Sequence, residues 1–153
     1  MLSAQDNVLE NYTGFWTLDS SRTDDYSDVL SAQGVSWLVR KVILNMTITY
    51  DISVTEVNGV KVLTTVNPKG EKQVLALDGA SHPEESSTFG SLTQTASQDA
   101  DGHFHLVTVS EKYKWKNTGT WTLENNNTVM VRTLTFESPK LTKTFKMTFT
   151  KKQ

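Results

Sequence analysis

The stretch TDDYSDVLSAQGVSWLVRKVI, Thr23 to Ile43, decides the fold. Thr23 can cap a first helix, with Asp24 and Asp25 at its electropositive end. Tyr26, Val29 and Leu30 then share one helical face. Gly34 stands where a helix is commonly terminated, and Ser36 can cap a second one. In that second helix Trp37, Leu38 and Lys41 lie a turn apart, and Arg40-Lys41 approach the electronegative end. Ahead of the pair stands a single strand, Gly14-Phe15-Trp16-Thr17-Leu18, read as part of a strand from Tyr12 to Leu18. Behind it follow about a hundred residues of Thr- and Val-rich alternation with no other helical pattern. A strand, two short helices and a run of hairpins are the layout of a small closed barrel with a lid.

The alternation begins after Asn45. Met46, Ile48, Tyr50, Ile52 and Val54 take one face of a strand, and Thr47, Thr49, Asp51, Ser53 and Thr55 the other. Asn58-Gly59 is the sequence of a tight hairpin into Val60–Val66. Pro68-Lys69-Gly70 turns the chain into Gln73–Leu77. Ser81 to Ser87 carries Pro83, which confines it to a short or edge strand. Phe89 to Gln98 alternates weakly, and Asp99 to Gly102 is a turn. His103 to Trp115 reads as one long strand with a bulge near Ser110-Glu111, reversed at Lys116 to Gly119 into Thr120–Glu124. Turns at Asn125-Asn126-Asn127 and Ser138-Pro139 bound the last two strands, Thr128–Phe136 and Leu141–Lys151. The expected fold is all-β: a ten-stranded antiparallel up-and-down barrel, closed to remove its edges, with a helix-turn-helix lid between the first and second strands. Residues 1–11 are expected to be a loose extension and 12–153 a single barrel.

Composition narrows the function. Apolar residues make up 37%, a low share that suits a partly hollow interior. A net charge of −2 draws the chain to neither nucleic acid nor an anionic membrane. With no cysteine there are no disulfides, thiolate metal sites or cysteine nucleophiles. That absence, with no signal-like run in Met1 to Asn11, points to the cytosol. Asn11, Asn45 and Asn126 each begin a glycosylation-type triplet, read as chance matches. His103 and His105 share a strand face without a third ligand at a recognisable spacing, so neither metal nor cofactor is expected.

Two cations fall on faces expected to look inward. Lys143 shares its face with Leu141, Phe145, Met147 and Phe149. On the preceding strand Arg132 shares its face with Met130, Leu134 and Phe136. A one-residue bulge there would instead turn Arg132 outward. Tyr113, Trp115, Trp121 and Leu123 form a further inward set. Trp121 either touches a cargo or fills the closed end. Trp37 either covers the opening or packs plainly. Tyr50 is a candidate cavity hydroxyl.

Gly14-Phe15-Trp16, then Asp24-Asp25-Tyr26 through Ala32-Gln33-Gly34-Val35 to Arg40-Lys41-Val42, together resemble the intracellular fatty-acid- and retinoid-binding proteins of the calycin superfamily. The resemblance runs from about Tyr12 onward and is weakest between Pro68 and Gln98. It implies a cavity for a fatty acid, retinoid or similar amphiphile beneath a helical lid. The family closes with an Arg-x-Tyr strand; here Lys143 stands in place of the arginine and Phe145 in place of the tyrosine, with Arg132 placed across from Lys143. Positive charge is kept, but the planar fork and the hydroxyl are lost at that position.

The leading expectation is a monomeric carrier of a hydrophobic small molecule with an acidic head, without stable membrane insertion. Its ligand set comprises Lys143, Arg132, Phe145, Trp37, Tyr50, Leu134, Met147 and Trp121. The alternative is an isomerase or cyclase on the same shell, using a lysine with a shifted pKa as base; no catalytic residue can be named for it. A third reading is a structural or partner-binding barrel with a filled interior.

Overall fold

The computed structural model describes residues 8–152. Ten strands form one antiparallel sheet: β1 (Gly14–Leu18), β2 (Thr49–Val57), β3 (Val60–Val66), β4 (Lys72–Ala76), β5 (Ser81–Ser86), β6 (Gly90–Gln98), β7 (Phe104–Ser110), β8 (Trp115–Glu124), β9 (Val129–Glu137) and β10 (Thr142–Lys151). Their order is β4-β3-β2-β1-β10-β9-β8-β7-β6-β5. First and last strands therefore meet in mid-sheet, where Trp16 pairs with Lys151. The two sheet edges are β4 and β5, and side chains span the gap between them: Gln73 Nε2 of β4 donates to Gln94 Oε1 of β6 at 2.8 Å, and Ser87 Oγ, just past β5, donates to Glu71 Oε2, just before β4, at 2.8 Å. Pro83 lies on the edge strand β5, where its missing N–H costs no ladder bond.

Between β1 and β2 come a short 3₁₀ turn and two helices, α1 (Ser27–Ala32) and α2 (Trp37–Asn45). Thr23 is not the cap of α1. It ends the 3₁₀ turn and accepts from the Thr148 N–H, while Asp24 accepts from the Lys146 N–H, so residues 19–24 lie along β10. Gly34 follows α1 at φ +89°, and an added Cβ would sit 2.6 Å from the Tyr113 ring, so both backbone and packing demand glycine there. Ser36 caps α2 by accepting from the Val39 N–H. No helix among the described residues is long and apolar enough to cross a membrane.

Asn58-Gly59 turns the hairpin with both φ values positive, 51° and 81°. Where a bulge was expected near Ser110-Glu111 there is a full turn: β7 stops at Ser110, Lys114 takes φ +57°, and the Tyr113 N–H donates to Ser110 Oγ. Lys116 to Gly119 consequently lie inside β8 and not in a turn, and Tyr113 is half-exposed at the turn instead of inward. The expected loose extension is corrected in part. Residues 1–7 lie outside the described segment, but 8–10 form a helical turn, and Leu9 and Tyr12 are fully buried. Tyr12 Oη donates to the Trp121 carbonyl, and Trp16 Nε1 to the Tyr12 carbonyl.

Two apolar clusters fill the inner face. One, around Tyr12, Trp16, Phe104, Trp121, Met130 and Phe149, plugs the end away from the helices. The other, around Trp115, Leu134, Phe136 and Phe145, receives Val29 from α1.

Candidate ligand-binding site

Between the clusters the inward positions turn polar. Period two brings Tyr50 from β2, Thr65 from β3, Gln94 from β6, Thr108 from β7, Asn117 from β8 and Arg132 from β9 to one cavity of about 360 Å³. Leu134, Phe145 and Met147 form its apolar wall, and Tyr26, Val29 and Leu30 of the α1 segment close it from above. The volume falls in the range of small-molecule sites.

Arg132 is the electrostatic centre. Its guanidinium lies 4.7 Å from the Trp121 ring centroid, and its Nε is buried without a hydrogen-bond partner. Burial pulls its pKa below the ordinary arginine value, and the neighbouring Tyr50 pushes the other way. Arginine nevertheless keeps its proton. No carboxylate among the described residues pairs with it. Tyr26 stacks on Phe145 at 6.4 Å, and its pKa is raised by burial and then by neighbouring Tyr50. Glu84, also on the cavity wall, has its pKa raised by burial and then by Glu85.

The expected residues divide. Arg132, Tyr50, Leu134, Phe145 and Met147 line the cavity; Lys143, Trp37 and Trp121 do not. Lys143 has the strand parity of Phe145 but stands at the rim. Its Nζ donates to the Asp25 carbonyl at 2.6 Å and to Asp28 Oδ1 at 3.0 Å, which ties β10 to the start of α1. The expected pairing also fails. Arg132 lies across from Met147 and Lys143 from Phe136, an offset of four residues or about 13 Å along the strand. The lysine that a catalytic reading would use as base is therefore engaged at the lid. Trp37 opens α2 at 60% exposure with Lys41 Nζ 4.6 Å from its ring, and it does not cover the opening. Trp121 sits beneath Arg132 in the closed-end cluster, 4.6 Å from Phe104.

Asn117, Thr65, Thr108, Gln94 and Gln73 were missed by the sequence reading. Gln94 was findable, because it falls between Leu92 and Ala96 at a period of two. Asn117 was hidden by the misplaced turn. His103 lies just before β7 and His105 on it, and both have partners: His103 Nδ1 with Tyr12 Oη at 2.6 Å and His105 Nδ1 with Thr120 Oγ1 at 3.2 Å. Among the described residues no group of three or more His, Asp or Glu could hold a metal ion.

In sequence, no family model and no curated protein matches the chain. In structure, many solved chains do. The Schistosoma mansoni fatty acid binding protein in complex with arachidonic acid superposes with a TM-score of 0.73 at 16% identity, over 95% of this chain and 99% of its own. Caenorhabditis elegans lipid binding protein 8 gives 0.70 at 18% identity, over 94% and 97%. Human cRBP IV gives 0.66 at 16% identity, over 92% and 98%. Ten antiparallel strands curled about an inner cavity beneath a helix-turn-helix cap thus give this chain the fold of the fatty-acid-binding proteins.

Proposed function

We propose that the protein binds and carries a hydrophobic small molecule with an acidic head, fatty-acid- or retinoid-like, as a monomer in the cytosol. The observation that carries this reading is Arg132: a buried cation facing a cavity, with no carboxylate partner among the described residues. A buried charge without a counter-ion is costly, and an incoming carboxylate would remove the cost. At about 4 Å and an effective dielectric near 20 the pair gains roughly 4 kcal/mol. Each methylene laid against Leu134, Phe145 and Met147 adds about 0.8 kcal/mol. Association entropy and head-group desolvation oppose both terms, so the net affinity is well below their sum. The Schistosoma protein, solved with arachidonic acid, is a structural precedent for an acidic acyl guest in this fold. Tyr50 would share the head group with Arg132, and the tail would point towards Tyr26 and Val29.

Fluorescent-probe displacement by palmitate and by palmityl alcohol tests this. Arg132→Met should weaken palmitate far more than the alcohol. Equal weakening of both would defeat the charge anchor.

A further inference from the structure

The uncharged polar side chains of the cavity wall form an ordered row. Thr65 on β3 pairs across the ladder with Gln73 on β4. Gln73 reaches over the gap between the sheet edges to Gln94 on β6, with Nε2 2.8 Å from Oε1. Gln94 pairs with Thr108 on β7, and Thr108 with Asn117 on β8. All of them line the cavity. Directly opposed side chains in antiparallel strands have Cβ atoms about 4.5–5.5 Å apart, so the row is continuous. In the strand order, β9 and β10 stand across the barrel from the gap that the two glutamines span. The row therefore faces the apolar wall of Leu134, Phe145 and Met147, and the cavity has two unlike sides.

A plain hydrocarbon tail matches only one of those sides. Apart from the bond between the two glutamines, the side chains of Thr65, Gln94 and Thr108 have no hydrogen-bond partner among the described residues. Thr65 and Gln94 are buried. Methylenes laid over such groups remove water and return no hydrogen bond, which is costly. A hydroxyl on the tail removes that cost, because it accepts from an amide N–H and donates to a threonine or amide oxygen.

Register sets where along the tail this hydroxyl falls. On β8, Asn117 precedes Trp121, the cross-strand partner of Arg132, by four residues. That offset is about 13 Å along the strand. An extended chain advances about 1.2 Å per bond, so an acid held at Arg132 meets the row about ten to twelve carbons along. We propose that the cargo is oxygenated near mid-chain: a long-chain acid whose carboxylate meets Arg132 and whose tail hydroxyl is held by Gln94 and Thr108. The inference rests on the reading of Arg132 as the acid anchor and adds to it a selectivity for position along the tail.

The test compares oleate, α-hydroxyoleate, ricinoleate (oleate with a hydroxyl near mid-chain) and oleyl alcohol by probe displacement on the full chain. Ricinoleate should bind about fivefold or more tighter than oleate, the range of one net hydrogen bond. The α-hydroxy acid should show no such gain, because its hydroxyl sits beside the anchor. Thr108→Val combined with Gln94→Met removes the hydroxyl and the amide at similar size and should bring the ricinoleate ratio close to one. Arg132→Met should weaken oleate and ricinoleate together and leave their ratio intact. A ratio near one in the unaltered protein, as a row served by bound water would give, overturns the proposal and leaves the anchor standing. So does an equal gain from the α-hydroxyl, or a ratio that survives the double variant. Oleate binding no tighter than oleyl alcohol removes the anchor, and the proposal with it, whatever that ratio.

Discussion

Away from the helices, Tyr12, Trp16, Phe104 and Phe149 are buried to completion and interlock as rings, with Phe104 4.6 Å from Trp121 and Tyr50 5.6 Å from Phe149. Towards the helices the same alternation delivers Thr65, Gln94, Thr108, Asn117 and Arg132, and these surround space. One half of the barrel is a solid core and the other a lined chamber. The difference shows that a single sheet can separate its duties lengthwise. The far end supplies cohesion, and the polar layer gives up some of it by leaving buried groups unpaired.

That contrast can be broken in several ways. Trp16→Ala should cost about 3–5 kcal/mol in urea unfolding, because its cavity is walled by rings that cannot collapse. Leu134→Ala already faces open space and should stay near the lower end of its class, about 2 kcal/mol. A larger loss at Leu134 than at Trp16 would erase the distinction between the halves. Arg132→Met separates binding from stability: palmitate affinity should fall by about 2–5 kcal/mol, while the empty protein keeps or gains stability through relief of a buried charge. Lys143→Met should cost only about 0.2–1 kcal/mol of stability, since the Lys143 and Asp28 side chains keep 28% and 49% of their exposure. It should weaken acid and alcohol ligands alike, because its Nζ is held at the lid. A selective loss of the acid would return Lys143 to the site.

The smallest effect concerns pH. The Asp19 pKa is lowered by the Ser21 and Arg22 side chains, and the Asp25 pKa by the Ser27 N–H and then its hydroxyl. A lowered folded-state pKa gives stability that is complete above the unfolded aspartate value, about 3.9, and is lost as pH falls through the folded one. Tryptophan fluorescence during acid titration should report loosening around α1 only below about pH 4. Loosening between pH 5 and 7 would contradict the assignment to these aspartates.

Much of the architecture was open to a reader of residues. Gly34, Ser36 and Asn58-Gly59 name their turns through local chemistry, and a count of ten strands followed from alternation. The turn after Ser110 escaped notice because Glu-Lys-Tyr-Lys carries no glycine, proline or asparagine. It is held by a buried serine hydroxyl that no local pattern announces. That one miss displaced Asn117 and Gly119 from the interior. Period two placed Arg132, Leu134, Phe145 and Met147 on the inner face, since parity is a property of the strand alone.

Parity says which face a side chain leaves from, and it is silent on how far along the barrel it stands or what it can reach. Lys143 and Phe145 share a face, yet the flexible lysine stem at the rim extends to Asp28 while the phenyl ring stays inside. The offset that sets Arg132 against Met147, and the bending of the sheet that encloses Asn117, Trp121 and Arg132 together, depend on contacts between strands far apart in the chain. Local chemistry was therefore enough for a lidded β-barrel with inward charge. Which charge faces the cavity was settled by long-range register and by the reach of individual side chains.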